Sequence, residues 1–466
     1  MDSVPVTEAC RAILQGPDEA QNDHFGHTLG RPMPWPASPG GIVLPVGGGV
    51  KWDGMARMPS PAITRVGLFR IDPSAAANPK LPARRADLLI AGEPGDGFGF
   101  SIAVLPRPGA DPWLVVGAPR SDGEQGQTGR GSERGAVYGF ELESFREATF
   151  GAIVDVSRAS WRIDGPRVGG RFGFALAEVS ASSPSAPDLL VGEPGCLATP
   201  QEGGASFGGE VWRIPGGALE KLSAGARLPV HHPELAAVSI ARGEPLDALG
   251  CALASGLGAP GAWIAIGAEQ AHWKRPENLW IGPTEAAGGY VLLLEDGERN
   301  TLIGREPGGR FGHTLAGDPL ANGVAALAIG APGAGFVRVV NPADSGIELG
   351  TIRSEAPATR FGWALAWLPS GQLAIGTPDA HRDPGAADPG PLDFRLGSVT
   401  VWDLQPAWAG GDQSAALSRR ILAEGSRDHL GCSLAVDDSG VLWAGALAWP
   451  AHPATEQGRV YALGLP

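Results

Sequence analysis

The chain is poor in the features that would place it quickly. Four cysteines (Cys10, Cys196, Cys251 and Cys432), with no Cys-x-x-Cys spacing, are too few for a disulfide framework. No run of 18 apolar residues occurs, so no helix is expected to cross a bilayer. Residues 1–15 lack both a basic start and a long apolar core, so no secretory signal is visible, and no N-x-[ST] sequon marks a glycosylated surface. Positive charge is in deficit: 36 Lys and Arg stand against 50 Asp and Glu, for a formal charge of -14. That balance disfavours nucleic acids and anionic membranes as partners.

Glycine and proline are abundant instead. Seventy-one Gly and 43 Pro would suit a low-complexity chain, but 43% hydrophobic residues and 14 Trp can build a large core. The two residue types therefore punctuate many short strands.

The punctuation is periodic. Phe311 to Pro332 is the clearest copy of a unit that opens with Phe-Gly or Leu-Gly, continues through an apolar strand ending in Gly-Ala-Pro or a variant, and reaches a third strand behind Gly-x-Val. Seven openings are found, with glycines at Gly26, Gly99, Gly173, Gly250, Gly312, Gly362 and Gly431. Their spacing varies while the order of parts does not, as in a repeat array whose loops tolerate insertion.

Four strands are expected per unit. The first (FSIAV, FALAE, HTLAG) alternates, with Ser101, Ala175, Thr314 and Ser433 giving one face side chains small enough for a neighbouring sheet to approach closely. The second (LVVGAP, LLVGEP, LAIGAP) is apolar throughout, as in strands buried on both faces. A third strand (VYGF, VWRI, FVRV) precedes a more polar, outermost fourth. Cys251 and Cys432, right after Leu-Gly, are expected to be buried thiols, and His27 and His313 at the same position to be core residues. The last unit stops at its third strand (Val460 to Leu463), whereas Arg11 to Gly16 matches an orphan fourth. The fold expected is all-β: a seven-bladed β-propeller of four-stranded antiparallel blades occupying 1–466 as one domain, closed by the N-terminal strand completing the last blade.

Repeated seven times, Phe-Gly, Gly-Ala-Pro and Gly-x-Val-Tyr resemble the FG-GAP repeat of the integrin α-subunit head, over essentially the whole chain. The resemblance implies a seven-bladed propeller, a cell-surface or extracellular setting, ligand engagement on one face, and calcium in the turns between first and second strands. Those turns are degenerate here. Asp111 and Asp188 occupy the last-ligand position and Asp437–Asp438 is the sole acidic pair, whereas calcium needs six to eight oxygens. The aspartates are read as hairpin ends, with no metal or other cofactor.

The long insertions lie between second and third strands and share a face with the fourth-to-first turns. Candidate ligand-binding residues there are Trp52, Arg120, Arg134, His272, Trp273, Arg275, Trp280, His381, Arg382 and Trp449. Tryptophan beside hydrogen-bonding groups suits a sugar face or a protein hot spot, although for Trp273 and Trp280 the favoured reading is that they pin their loop to the blade. Gly204 to Gly208 fits G-x-S-x-G and Gly256 to Gly261 fits G-x-G-x-x-G, but neither opens a helix, so both are chance matches. His381 with Asp379 and Asp383 is the best metal or acid-base cluster, yet a loop histidine among aspartates is ordinarily just solvated. The expectation is a binding propeller for a protein or glycan, with a partner subunit as a further possibility. An enzyme with a site in the top or central pocket, or a scaffold subunit of a larger assembly, is the alternative.

Overall fold

The computed structural model describes residues 3–15, 25–35, 41–48, 63–71, 85–122, 132–146, 148–179, 186–195, 208–244, 247–257, 261–269, 288–295, 297–317, 325–354, 359–380, 396–404, 415–424, 428–447 and 458–464, and structural statements concern these. The chain enters through β1 (Val4–Pro5), one helical turn (Val6–Ala9) and β2 (Cys10–Gln15). Blade 1 holds β3 (Thr28–Leu29), β4 (Met33–Pro34), β5 (Ile42–Gly47), β6 (Ile63–Ile71) and β7 (Leu88–Pro94). Blade 2 holds β8 (Ser101–Arg107), β9 (Ala110–Ala118), β10 (Ala136–Glu141) and β12 (Trp161–Asp164), with β11 (Ala152–Asp155) in the link before β12. Blade 3 has β13 (Ala175–Val179), β14 (Asp188–Glu193), β15 (Glu210–Ile214) and β17 (Val238–Arg242), with β16 (Ala226–Pro229) in the corresponding link. Blade 4 is β18 (Leu249–Leu257), β19 (Ala262–Ala268), β20 (Tyr290–Glu295) and β21 (Glu298–Ile303). Blade 5 is β22 (Thr314–Gly317), β23 (Leu327–Ala331), β24 (Phe336–Asn341) and β25 (Ile347–Arg353). Blade 6 is β26 (Ala364–Trp367), β27 (Leu373–Thr377), β28 (Ser398–Asp403) and β29 (Ala416–Leu422), and blade 7 is β30 (Leu434–Val436), β31 (Leu442–Ala446) and β32 (Arg459–Leu463).

These seven sheets stand in a ring, a seven-bladed β-propeller. Each inner strand touches the inner strand of the next blade, and β30 touches β3. Closure is as the orphan N-terminal strand predicts: β2 pairs antiparallel with β32, from Cys10 opposite Leu463 to Gln15 opposite Arg459.

The core is divided into seven wedges, one per junction. Between blades 2 and 3, for instance, Val115, Val137 and Ile163 meet Leu189, Val191 and Ile214, while Leu114, Val116 and Phe140 on the other face of blade 2 meet Val43, Val66 and Ile90 of blade 1. Consecutive residues Val115 and Val116 thus enter different wedges. That is why the second strands are apolar without alternation. The Phe or Leu of every opening pair is buried in a wedge, contributing about 1.5–3 kcal/mol by transfer from water.

The glycine motifs follow from how closely the blades approach. Each opening glycine has φ between 86° and 91°, a region costly for other residues. Its carbonyl oxygen points at the second-strand glycine of the preceding blade. A Cβ on Gly47, Gly117, Gly192, Gly267, Gly330, Gly376 or Gly445 would come within 3.0 Å of the carbonyl oxygen of Gly99, Gly173, Gly250, Gly312, Gly362, Gly431 or Gly26 respectively, the last pair closing the ring. The small first-strand side chains bond to the same oxygens: Ser101 Oγ donates to Gly173 (2.7 Å), Thr314 Oγ1 to Gly362 (2.8 Å) and Ser433 Oγ to Gly26 (2.6 Å). Cys251, Cys432, His27 and His313 are buried, as their position implies, and burial pushes the Cys432 thiol up to about 12.

One expectation needs amending. The fourth strand is not outermost in every blade: β11 adds to β7, β16 to β12 and β1 to β29, all in parallel. Each added strand comes from the stretch just ahead of the next blade's fourth strand, reaching back one blade. Where that link is short, as from Glu295 to Glu298 and from Asn341 to Ile347, no residues are spare. There the exposed edge is met by arginines of the next blade: Arg299 Nη2 donates to Ile240 O (3.1 Å) and Arg338 Nη1 to Ile303 O (3.3 Å). Among the described residues no helix is long and apolar enough to cross a membrane.

Candidate functional site at the loop face

Antiparallel pairing puts the connections between second and third strands on the same face as the turns from fourth to first strands. The second-to-third connections run from Ala118 to Ala136, Glu193 to Glu210, Ala268 to Tyr290 and Thr377 to Ser398, against a minimal Ala331 to Phe336 in blade 5. On the opposite face the hairpins are tight in blades 2, 6 and 7; in blade 7 Asp437 Oδ1 accepts from Ser439 N (3.0 Å), Ser439 Oγ (2.6 Å) and Val441 N (2.9 Å). Asp188 pairs with Arg213 Nε at 2.6 Å and accepts from Gly216 N. Both aspartates serve local structure, and among the described residues no group of three or more His, Cys, Asp or Glu side chains is arranged to hold a metal ion.

A belt of ion pairs lines the loop face where the first strands begin. The residue ahead of the opening pair is basic in five units, and in the four of these that are described it is left-handed: Arg171 (φ 59°), Arg310 (56°), Arg360 (60°) and His429 (50°). Gly97 (φ 70°) and Ala248 (56°) are left-handed at the same position, so the turn imposes a conformation costing roughly 1 kcal/mol or more on a side-chain-bearing residue, whatever that side chain contacts. Each of the four basic residues reaches a carboxylate: Arg171 Nη2 to Glu133 at 2.7 Å, Arg310 Nη2 to Glu269 at 2.7 Å, Arg360 Nε to Asp379 at 3.0 Å and His429 Nδ1 to Asp379 at 3.2 Å.

The densest part spans blades 4 to 7. His313 Nδ1 lies 2.6 Å from Glu269 Oε2, its ring 4.4 Å from that of Trp363, and the guanidiniums of Arg310 and Arg360 lie 5.5 and 4.9 Å from the same indole. Burial pushes the Glu269 carboxyl upward, but the charges of Arg310 and His313 outweigh it and hold it well below the usual range. Across the ring, burial pushes Asp96 up to about 7 despite bonds from the amides of Phe98 and Glu93.

Blade 3 carries two carboxylates at this level. Glu193 ends β14, Glu210 begins β15, the two are register partners, and neither has exposed surface. Arg167, from the turn into blade 3, contacts Glu193 Oε2 at 3.4 Å and also bonds Glu210 Oε2; Arg242 Nε donates to Glu210 Oε1 at 2.7 Å. Trp212 Nε1 donates to Glu193 Oε2 at 3.0 Å. Burial raises Glu193 to about 7; it acts likewise on Glu210, but bonds from Ser239, Arg167 and Arg242 bring that carboxyl below its ordinary value.

Of the residues expected to bind ligand, Arg120 and Arg134 are described. Arg120 Nε donates to Glu133 (3.3 Å), joining the belt through the carboxylate Arg171 also uses, and Arg134 Nη1 donates to Pro166 O (2.9 Å). Trp52, His272, Trp273, Arg275, Trp280, His381, Arg382 and Trp449 lie outside the described residues. The belt itself is not among the residues expected from the sequence, though its signal is present there: Arg precedes Phe-Gly in three units, Glu193 stands where other units have Gly, Ala or Thr, and Glu210 is the one acid at its position in the seven units.

No family model matches the sequence, and no curated protein does. Its reading therefore rests on the ring, the belt and the loops they carry.

Proposed function

We propose that the protein is a recognition propeller of the FG-GAP kind, resembling the integrin α head, which engages a protein or glycan ligand through its loop face. The observation that carries this reading is the gathering of every long second-to-third connection on one face of a closed ring. Such a scaffold holds variable loops in fixed relation, which is where binding commonly resides. The basic groups beneath the loops are paired with carboxylates, so the belt serves as a rigid rim and the connections above it supply the contacts. The catalytic alternative would draw on Glu193 and Glu210, whose pKa values are pushed apart as in acid–base pairs. Both are fully buried, which leaves a substrate no surface on them to meet.

The test is an array of glycans and proteins probed with the purified chain, with and without chelator, beside a variant carrying Trp273→Ala, Trp280→Ala and Trp449→Ala. Chelator-insensitive binding that the variant loses is expected. Binding that survives the triple substitution would move the contact surface elsewhere, and binding abolished by chelator would restore calcium to the turns.

A further inference from the structure

Five of the other six units supply a control for blade 3. The positions of Glu193 and Glu210 are taken elsewhere by the register pairs Ala118–Ala136, Ala268–Tyr290, Ala331–Phe336, Thr377–Ser398 and Ala446–Arg459. None of these is a pair of acids. Burying a carboxylate costs several kcal/mol, roughly, even after relaxation, so two in a site the fold otherwise fills with small, aromatic or single polar side chains need a reason beyond packing.

We propose that Glu193, Arg167 and Glu210 form a proton-operated clasp between blades 2 and 3. Glu193 Oε2 takes bonds from Trp212 and Arg167, while its buried Oε1 has no hydrogen-bond partner and lies against Gly170, where a Cβ would collide with it. The charged groups around Glu193 are Arg167 from the 165–170 turn and Glu210 from β15, with Arg242 of β17 reaching the cluster through Glu210. With Glu193 ionised, Arg167 is shared by two carboxylates and the four charges cancel. A proton on Glu193 removes its charge attraction for the Arg167 guanidinium, which keeps its bond to Glu210, while the Arg167 backbone amide still reaches Glu193. The turn is tied back to blade 3 by the Gly195 amide, which donates to Gly170 O at 3.0 Å, so the state of the clasp is read at that bond.

The sign follows from linkage. A carboxyl raised from 4.5 to about 7 binds its proton more tightly in the folded state, so stability falls as pH rises between those values and levels off above. Two opposite trends are therefore expected as pH rises from 5.5 to 8: wild type loses global stability relative to Glu193→Gln, by a degree or more in Tm, roughly, while protection of the Gly195 amide from hydrogen exchange rises several-fold in wild type and stays flat in the variant. The difference between the two proteins removes the contribution of Asp96, which both share. A Tm gap independent of pH, or Gly195 protection that changes equally in both, would overturn the clasp. If Glu193→Gln fails to fold, infrared spectra of Glu178→Gln protein carrying 13C-labelled glutamate decide the matter, that substitution removing the other glutamate raised by burial: a protonated-carboxyl band present at pH 6 and lost by pH 8.5 supports the proposal, and its absence at pH 6 refutes it.

Discussion

Gly267 shows how much of this fold is decided by single hydrogen atoms. A methyl group there would meet the carbonyl oxygen of Gly312 in the next blade, and neither backbone can retreat without opening the wedge between them. Gly267→Ala should cost about 3 kcal/mol or more by overpacking, whereas Gly217→Ala, with nothing within 4 Å of its Cβ, should stay within about 0.5 kcal/mol, both measured as shifts in denaturant midpoint. Glu269 gives a second test at this scale. A carboxyl held below its ordinary range contributes stability above about 4.3 and loses it as pH falls. Glu269→Gln should therefore be less stable than wild type at pH 7, with the gap narrowing at pH 3.5; a gap that widened on acidification would contradict the pairing with Arg310 and His313. The opening and second-strand glycines could be read from the sequence because they recur at fixed places. The acids of blade 3 are not legible in the same way, because they depart from the pattern that the other units repeat.

At the scale of elements, the hairpins and the added parallel strands matter most. Asp437 ties three donors into the β30–β31 turn, so Asp437→Ala should cost about 1–3 kcal/mol in urea unfolding, and the loss should be the same with or without chelator. A loss confined to chelator-free buffer would mean that the turn holds a cation. Four strands per blade were legible because the first alternates, the second is apolar throughout, the third follows Gly-x-Val in most units and the fourth is more polar. The fifth strands were not. Ala152–Asp155 and Ala226–Pro229 are four residues long, carry no shared motif, and gain their place only by finding an edge in the blade before them.

For the whole molecule, the ring was legible from one mismatch, a strand missing at one end of the chain and a matching one at the other. Deletion of residues 1–22 removes both the strand that completes blade 7 and the parallel strand added to blade 6. It should lower the melting temperature and broaden the transition; an unchanged, equally sharp melt would refute closure. The proposed ligand surface was far less legible. Propellers reuse one scaffold under many loops, and residues such as Trp273 and Arg382 belong to stretches with no counterpart in the other units against which to read them.

Closure of the ring also sets a timetable. Gln15 pairs with Arg459, so during synthesis β2 leaves the ribosome long before its partner exists. At translation rates of about 5–20 residues per second the wait is roughly 20 to 90 s. Throughout it, Cys10–Gln15 is an unpaired strand with a buried-type face, while blades 1 to 6 assemble beside it. A nascent-chain chaperone that captures extended apolar segments should bind this stretch, and the yield of folded protein in cell-free synthesis should fall when that chaperone is depleted.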